Sequence, residues 1–218
     1  MKRTLVHVGL HRTGTTFLQK HVFPQLNVNF IHVKGVDILK KHKLDNKNSN
    51  VLSSEYFSGN PWNFDNENYG SNDRYKIADK IKEMYPDANI LLVLRNQDDW
   101  KRSLYNQYKK SKGYLSREEF DKKFDDEYLN FVDYSNYLIK TFGIDKVHIL
   151  QYENLKKDYK GFIREICKIL DVNIPYGIKN AVYNKSLTKG QEKILKKLRN
   201  ISDFTINKIK FGMERMNR

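Results

Sequence analysis

The stretch from Leu5 to Gln19, LVHVGLHRTGTTFLQ, constrains the fold of this chain more than any other. Leu5, Val6 and Val8 read as a short buried strand, Gly9 to Gly14 as a tight turn, and Thr15 and Thr16 as the opening of a helix. A strand that feeds a helix through a glycine-bounded turn builds a cradle for an anion. Amide groups left unpaired at the helix start, with the positive end of its dipole, attract clustered oxygens. Gly9 and Gly14 let the main chain turn sharply and approach a ligand without a Cβ in the way. The alternative is a glycine turn that holds nothing.

The nucleotide-binding version of such a loop is G-x-x-x-x-G-K-[ST], whose lysine reaches the terminal phosphates and whose hydroxyl holds Mg²⁺. Here Gly9 and Gly14 keep that register, but Thr15 stands where the lysine would be, and the cation, Arg12, lies inside the loop. A neutral hydroxyl cannot neutralise a triphosphate tail, whereas an arginine within the turn can fork onto one compact anion.

The rest of the chain alternates strand and helix patterns. A helix over 16–22 is expected to end near Pro24, and a strand follows at 29–33. Residues 37–50 read as a surface connection, and 51–55 as a short strand that delivers Glu55 at its C-terminal end. The segment 58–72 mixes turn formers with Trp62, Phe64 and Tyr69, as binding loops do. Ile77, Ile81 and Met84 mark a helix that stops at Pro86. The run Asn89 to Leu94 is continuously apolar, as in a strand buried on both faces. It ends in Arg95, and Asn96 caps a helix carrying Asp98 and Asp99 in its first turn. Residues 111–126 are charged and weakly patterned and read as a mobile surface segment. A helix over 128–142 stops at Gly143, a strand spans 147–150, and an amphipathic helix over 159–170 is closed by Pro175. The pattern predicts an α/β fold of the P-loop type: three layers, with a central, mostly parallel sheet flanked by helices. One domain is expected over 1–218, with 179–218 as a basic helical extension.

Composition bounds the function. The chain has 218 residues and a formal charge of +14. Residues 179–218 hold eleven basic and three acidic side chains, so +8 of that excess belongs to the tail and +6 to the remainder. Nucleic acid, anionic lipid, an acidic polymer and plain solubility are all compatible with it. The single cysteine, Cys167, excludes an intramolecular disulfide, and its apolar helical setting suits a buried thiol. No run reaches the length of a membrane span, and the short apolar patch after Met1 runs into the glycine turn, so a cytoplasmic protein is expected.

Arg95 departs from the nucleotide hydrolases, in which such a strand ends in an aspartate that holds Mg²⁺. An arginine at a strand tip before a helix start makes a second anion site, and Ser103, eight residues on, adds a hydroxyl if the helix folds back over the sheet. The alternatives are a salt bridge for Arg95 and an exposed helical position for Ser103. Two anion sites with no aspartate placed for a metal point to a ligand with two separated phosphate-like groups.

With these residues in hand, GLHRTGTTFLQ resembles the 5′-phosphosulfate loop of the sulfotransferases that use 3′-phosphoadenosine-5′-phosphosulfate. The likeness is greatest to bacterial members akin to the carbohydrate and heparan enzymes. LRNQDDWKRSLYNQY is similar to their 3′-phosphate motif, LSSEYF to the segment with their catalytic carboxylate, and HILQYENL to their Tyr-Glu-x-Leu strand end. The resemblance implies that Arg12, Thr13, Gly14, Thr15 and Thr16 hold the 5′-phosphosulfate, and Arg95 and Ser103 the 3′-phosphate. It makes Glu55 the general base, and Arg12 the stabiliser of the leaving group where relatives have lysine. It implies metal-independent transfer of a sulfuryl group to a hydroxyl or amine of an acceptor, with a glycan as the first expectation, and adenosine 3′,5′-bisphosphate as product. Nucleic acid is not an expected partner. Asn184, Lys185 and Ser186 resemble a late Asn-x-Ser stretch near the nucleotide, but suit a surface loop as well. Glu55 as a cap or surface residue, a P-loop kinase or NTPase, and a basic nucleic-acid-binding protein are the rival readings. Glu153, a rival carboxylate, suits the first turn of a helix. His11 adjoins Arg12 and stands near any ligand of the loop. His7 and His148 read as core.

Overall fold

The apolar runs pair as five parallel strands, β1 (Thr4–Val8), β2 (Val28–His32), β3 (Ser49–Ser54), β4 (Asn89–Leu94) and β5 (Val147–Gln151), in the spatial order β2-β3-β1-β4-β5. The structure is a computed structural model that describes residues 2–34, 40–61, 73–111, 113, 115–123 and 129–178. The chain divides into two units, Met1–Tyr183 and Asn184–Arg218. The second unit, with Asn184, Lys185 and Ser186, lies outside the described residues, as do Trp62, Phe64 and Tyr69.

The central strands lack a polar face because both faces are covered. Leu5, Val51, Leu91 and Val93 pack into one core cluster, and Val6, Val8, Leu52, Ile90 and Leu92 into the other. Among the described residues, α-helices accompany the sheet as α1 (Thr15–Phe17), α2 (Asp73–Met84), α3 (Gln97–Lys110), α4 (Arg117–Asp121), α5 (Phe131–Phe142), α6 (Tyr152–Lys157) and α7 (Tyr159–Leu170). Ile77, Ile81, Trp100, Leu104, Tyr134 and Leu138 from α2, α3 and α5 cover one face; Phe17, Leu155, Phe162, Ile163 and Ile166 from α1, α6 and α7 cover the other. The arrangement is the expected three-layer α/β fold, with every described strand pair parallel. No helix among the described residues is long and apolar enough to cross a membrane.

Several local expectations change. The helix after the loop ends near Pro24 as expected, at Gln25, but it is not one regular helix. It opens α-helical at Thr15–Phe17, widens to a π-turn over Leu18–Val22 and tightens to a 3₁₀ turn over Phe23–Gln25. Pro24 falls in the first turn of that last piece, where a missing N–H removes no bond. Strand β3 begins at Ser49, inside the expected connection, because polar Ser49 and Asn50 find buried partners at the sheet edge. The charged 111–126 stretch contains α4. Ser116 and Glu119 cap it reciprocally, and Phe120 is wholly buried between Tyr105 and Tyr108. It is an anchored element rather than a mobile one. Helix α5 starts at Phe131 because Asn130 caps it, with its side chain accepting from the Asp133 amide. Helix α7 keeps its expected span to Leu170, but what ends it is Asp171, left-handed at φ 55°, rather than Pro175. His7 is core, whereas His148 is half-buried and bonded to Asn89 at 3.1 Å.

Candidate active site

The site grows from the adjacency of β3, β1 and β4, whose C-terminal ends lie side by side. The loop after β1 is held closely to the end of β3: Gly9 donates its amide to the Ser54 carbonyl at 3.0 Å, and Ser58 donates its hydroxyl to the Gly9 carbonyl at 3.2 Å. A Cβ on Gly9 would meet Thr15 and the Ser54 carbonyl at 2.9 to 3.0 Å, so only glycine fits. Gly14 has φ 88° and faces Leu155 and Tyr152 of α6 at distances that exclude a side chain. Arg12 adopts φ 65°, a left-handed conformation uncommon outside glycine, so the loop holds its cation in a strained turn.

Within the turn the three threonines divide the work. Thr13 and Thr15 are buried, and their hydroxyls donate to the Leu10 carbonyl, which closes the loop on itself. Thr16 stays half-buried at the helix start. An anion in the turn would therefore meet main-chain amides and the Thr16 hydroxyl rather than the Thr13 and Thr15 side chains.

Arg12 and Arg95 come together. Arg95 Nη1 donates to the Arg12 carbonyl at 3.0 Å, and Arg12 Nε donates to Ser103 Oγ at 3.0 Å. Ser103 was expected beside Arg95; α3 does fold back over the sheet, but brings the hydroxyl to Arg12, so loop, strand end and helix meet at one point. Burial lowers the Arg12 pKa from its ordinary value, the like charge of Arg95 lowers it further, and Glu55 and Tyr152 oppose them. The Nε of Arg95 is buried and finds no hydrogen-bond partner among the described residues. Two guanidiniums held side by side, one with an orphaned donor, is the arrangement an anion completes.

Glu55 follows β3 directly, as the first residue of a 3₁₀ turn, Glu55–Ser58, capped by the Ser54 side chain. Its carboxylate is about a third exposed and lies 3.8 Å from His11 Nε2. Burial raises its pKa above the ordinary glutamate value against the pull of Arg12. The group is thus more basic than a surface carboxylate. Glu153 is elsewhere: it accepts from the Asn96 amide at 3.1 Å and braces the start of α3, a structural role.

Two contributors lay outside the expected set. Tyr152 is sandwiched between cations, with Arg95 Cζ 4.8 Å and Lys156 Nζ 5.0 Å from its ring centroid. Its place in the QYENL stretch was the only signal. Trp100, readable as core, also donates its indole N–H to the His11 carbonyl at 2.7 Å and ties α3 to the loop.

The sequence profile of the sulfotransferase family matches residues 50–176, more than half of the 218-residue chain. The chain belongs to the sulfotransferase family. The matched span includes Glu55, Arg95 and Ser103 and begins beyond the Gly9–Gly14 loop. No curated protein matches this sulfotransferase in sequence. Among solved structures, the fold is similar to that of a sulfotransferase from Alicyclobacillus acidocaldarius. The TM-score is 0.59 and the identity 15%, over 89% of this chain and 90% of that one. It is also similar to mouse sulfotransferase SULT7A1 complexed with PAP, with TM-score 0.54 and identity 14%, over 86% of this chain and 70% of that one.

Proposed function

We propose that this sulfotransferase takes its sulfuryl group from 3′-phosphoadenosine-5′-phosphosulfate and delivers it to a hydroxyl or amine of an acceptor, a glycan first among them. The observation that carries the donor assignment is the convergence of Arg12, Arg95 and Ser103, from a glycine loop, a strand end and a helix, on one cationic point. A donor with phosphate groups at both ends of its ribose suits two guanidiniums that share a boundary; PAP in the mouse relative supports the same class of ligand. The loop amides and Thr16 would hold the 5′ end, and Arg95 and Ser103 the 3′ end. Residues 1–178 with the basic extension are read as one catalytic domain.

The donor supplies a sulfur centre whose bond to the bridging oxygen is weak. Acceptor oxygen bonds to sulfur as that bond breaks, and its electron pair leaves on the 5′-phosphate. Arg12 lies where this negative charge grows and is already desolvated, so its attraction is stronger than in water. Glu55 receives the acceptor proton. The exposed ring of Tyr56, next in the chain, offers a face against which a sugar can stack.

Calorimetry tests the reading. Adenosine 3′,5′-bisphosphate is expected to bind in EDTA, far more tightly than ATP with Mg²⁺; the reverse order would favour a P-loop kinase and end this assignment. Incubation with ³⁵S-labelled donor and a panel of glycan, phenol and amine acceptors then identifies the acceptor class.

A further inference from the structure

The carboxylate read above as the base does not stand alone. His11 follows β1 and Glu55 follows β3, two neighbouring strands in which Val8 pairs with Ser54, so the topology brings the two side chains to one rim. His11 is fixed from several directions. Its carbonyl is held by the Trp100 indole at 2.7 Å, its ring lies edge-on to Tyr56 at 5.7 Å between centroids, and its side chain is 6% exposed. Glu55 is the more exposed partner, with 34% of its side chain exposed. The present separation, 3.8 Å from His11 Nε2 to Glu55 Oε2, is longer than a hydrogen bond. Contacts of this kind tighten when substrate fills a site.

The contact is not an ion pair. Burial drives the His11 imidazole down to about 3, and the charge of Arg12 pushes the same way. At working pH the ring carries one N–H and no charge. It can serve neither as counterion nor as base, which leaves it the role of a hydrogen-bond donor. With the proton on Nε2 the ring attracts the carboxylate; a bare lone pair there would repel it.

We propose that His11 is a positioning residue for Glu55, its neutral Nε2–H holding the carboxylate in the orientation from which it takes the acceptor proton. This rests on Glu55 as the base of sulfuryl transfer. Among the described residues, Arg12 and His11 face Glu55, Tyr56 adjoins it, and Arg95 and Tyr152 act on it only through Arg12.

The experiment reads Glu55 directly in the full-length protein. With ¹³C-carboxyl-labelled glutamate, the Glu55 signal is assigned by its loss in Glu55→Gln and titrated in wild type, His11→Phe and His11→Gln. A lost hydrogen bond to a charged group should raise the Glu55 pKa by about one unit in His11→Phe. In the same variant, transfer from the donor to p-nitrophenol should slow about tenfold, with affinity for adenosine 3′,5′-bisphosphate unchanged. Glutamine, whose side-chain amide nitrogen reaches the place of Nε2, should restore most of both. An unmoved Glu55 titration in His11→Phe overturns the proposal. Should that variant fail to fold, imidazole ¹⁵N shifts of the wild type decide: the proton on Nε2 supports the pairing, and the proton on Nδ1 overturns it. If the pairing holds but Glu55→Gln transfers as fast as wild type, the general-base reading falls and the contact is structural.

Discussion

The two ends of the same strands use polar residues in opposite ways. At the amino ends of β1 and β3, polar groups are fully engaged. Asn50, almost wholly buried, accepts from Asn29 and from the Asp45 amide and donates to the carbonyls of Asp45 and Asn48. Ser49 donates to the Leu170 carbonyl, and Arg3 Nη1 closes the end of α7 through the carbonyls of Lys168 and Ile169. At the carboxyl ends, like charges sit together, a non-glycine residue is held left-handed, and a buried guanidinium nitrogen goes unanswered. The first end is satisfied by the chain itself, whereas at the second the described residues leave the Arg95 Nε donor without an acceptor. Like charges held together beside an unanswered donor, at one rim of an otherwise consistent fold, are the reason to look for function there.

Substitutions at the two rims should therefore divide cleanly between activity and stability. The largest effect is expected from Glu55→Gln, which keeps the shape and removes the base: kcat should fall about 10²- to 10⁴-fold, with the melting temperature unchanged. Stopped transfer assays with ³⁵S donor measure the first and calorimetry the second. A kcat within twofold of wild type would remove Glu55 from the chemistry. Next, Arg95→Ala should weaken adenosine 3′,5′-bisphosphate binding about 10- to 100-fold through lost charge-assisted bonds. The unliganded protein should melt at the same or a higher temperature, because Arg12 loses a like-charged neighbour. A large loss of stability with unchanged affinity would place Arg95 on the structural side of the division.

How far this division was readable beforehand depended on the length of each signal. β4 was legible residue for residue, since NILLVL is continuously apolar and both its flanks are polar. So were the Asn96 cap of α3 and the span of α7. Helix α4 was not, because a five-residue helix holds one apolar anchor, Phe120, among charges; its Ser116-x-x-Glu119 cap was the visible signal. The loop and Arg95 could be seen as anion sites, but not that Ser103 would pair with Arg12. That contact depends on how α3 crosses the sheet, with Trp100 bonding the His11 carbonyl, and no spacing along the chain encodes it. The polar start of β3 was hidden for a like reason: Ser49 reads as surface until Leu170, more than a hundred residues away, is in place, and Asn50 until Asn29 and the turn at Asp45 are.

Asn50→Ala should invert the pattern seen for Arg95. It leaves several buried donors and acceptors of the 45–50 turn without partners, each costing about 1 to 3 kcal/mol in part offset by water entry. A net loss of about 2 kcal/mol by denaturant titration is expected, with nucleotide affinity in the folded protein unchanged. An affinity that fell in step with stability would mean the two rims are coupled through β3 rather than independent.

The smallest effect at neutral pH belongs to His7, which lies beneath the loop in the middle of β1. It bonds Ser53 at 2.8 Å and is held neutral by burial, with its pKa down to about 3 from an ordinary 6.5. The sign follows from linkage: the folded state refuses a proton that the unfolded chain accepts. This contribution is complete above pH 6.5 and is lost progressively as pH falls toward 3. His11 titrates in the same window and adds to the slope. His7→Gln, which can still bond Ser53, should change stability at pH 8 by only about 1 kcal/mol, yet flatten the fall in stability between pH 6.5 and 4. Unfolding curves at half-unit steps in pH separate the two histidines: His7→Gln and His11→Phe should each remove a share of the slope, while only the second alters the titration of Glu55. A slope unchanged in both variants would mean that carboxylates such as Asp45, held below the usual range by the Lys47 amide and Asn48, govern acid stability instead.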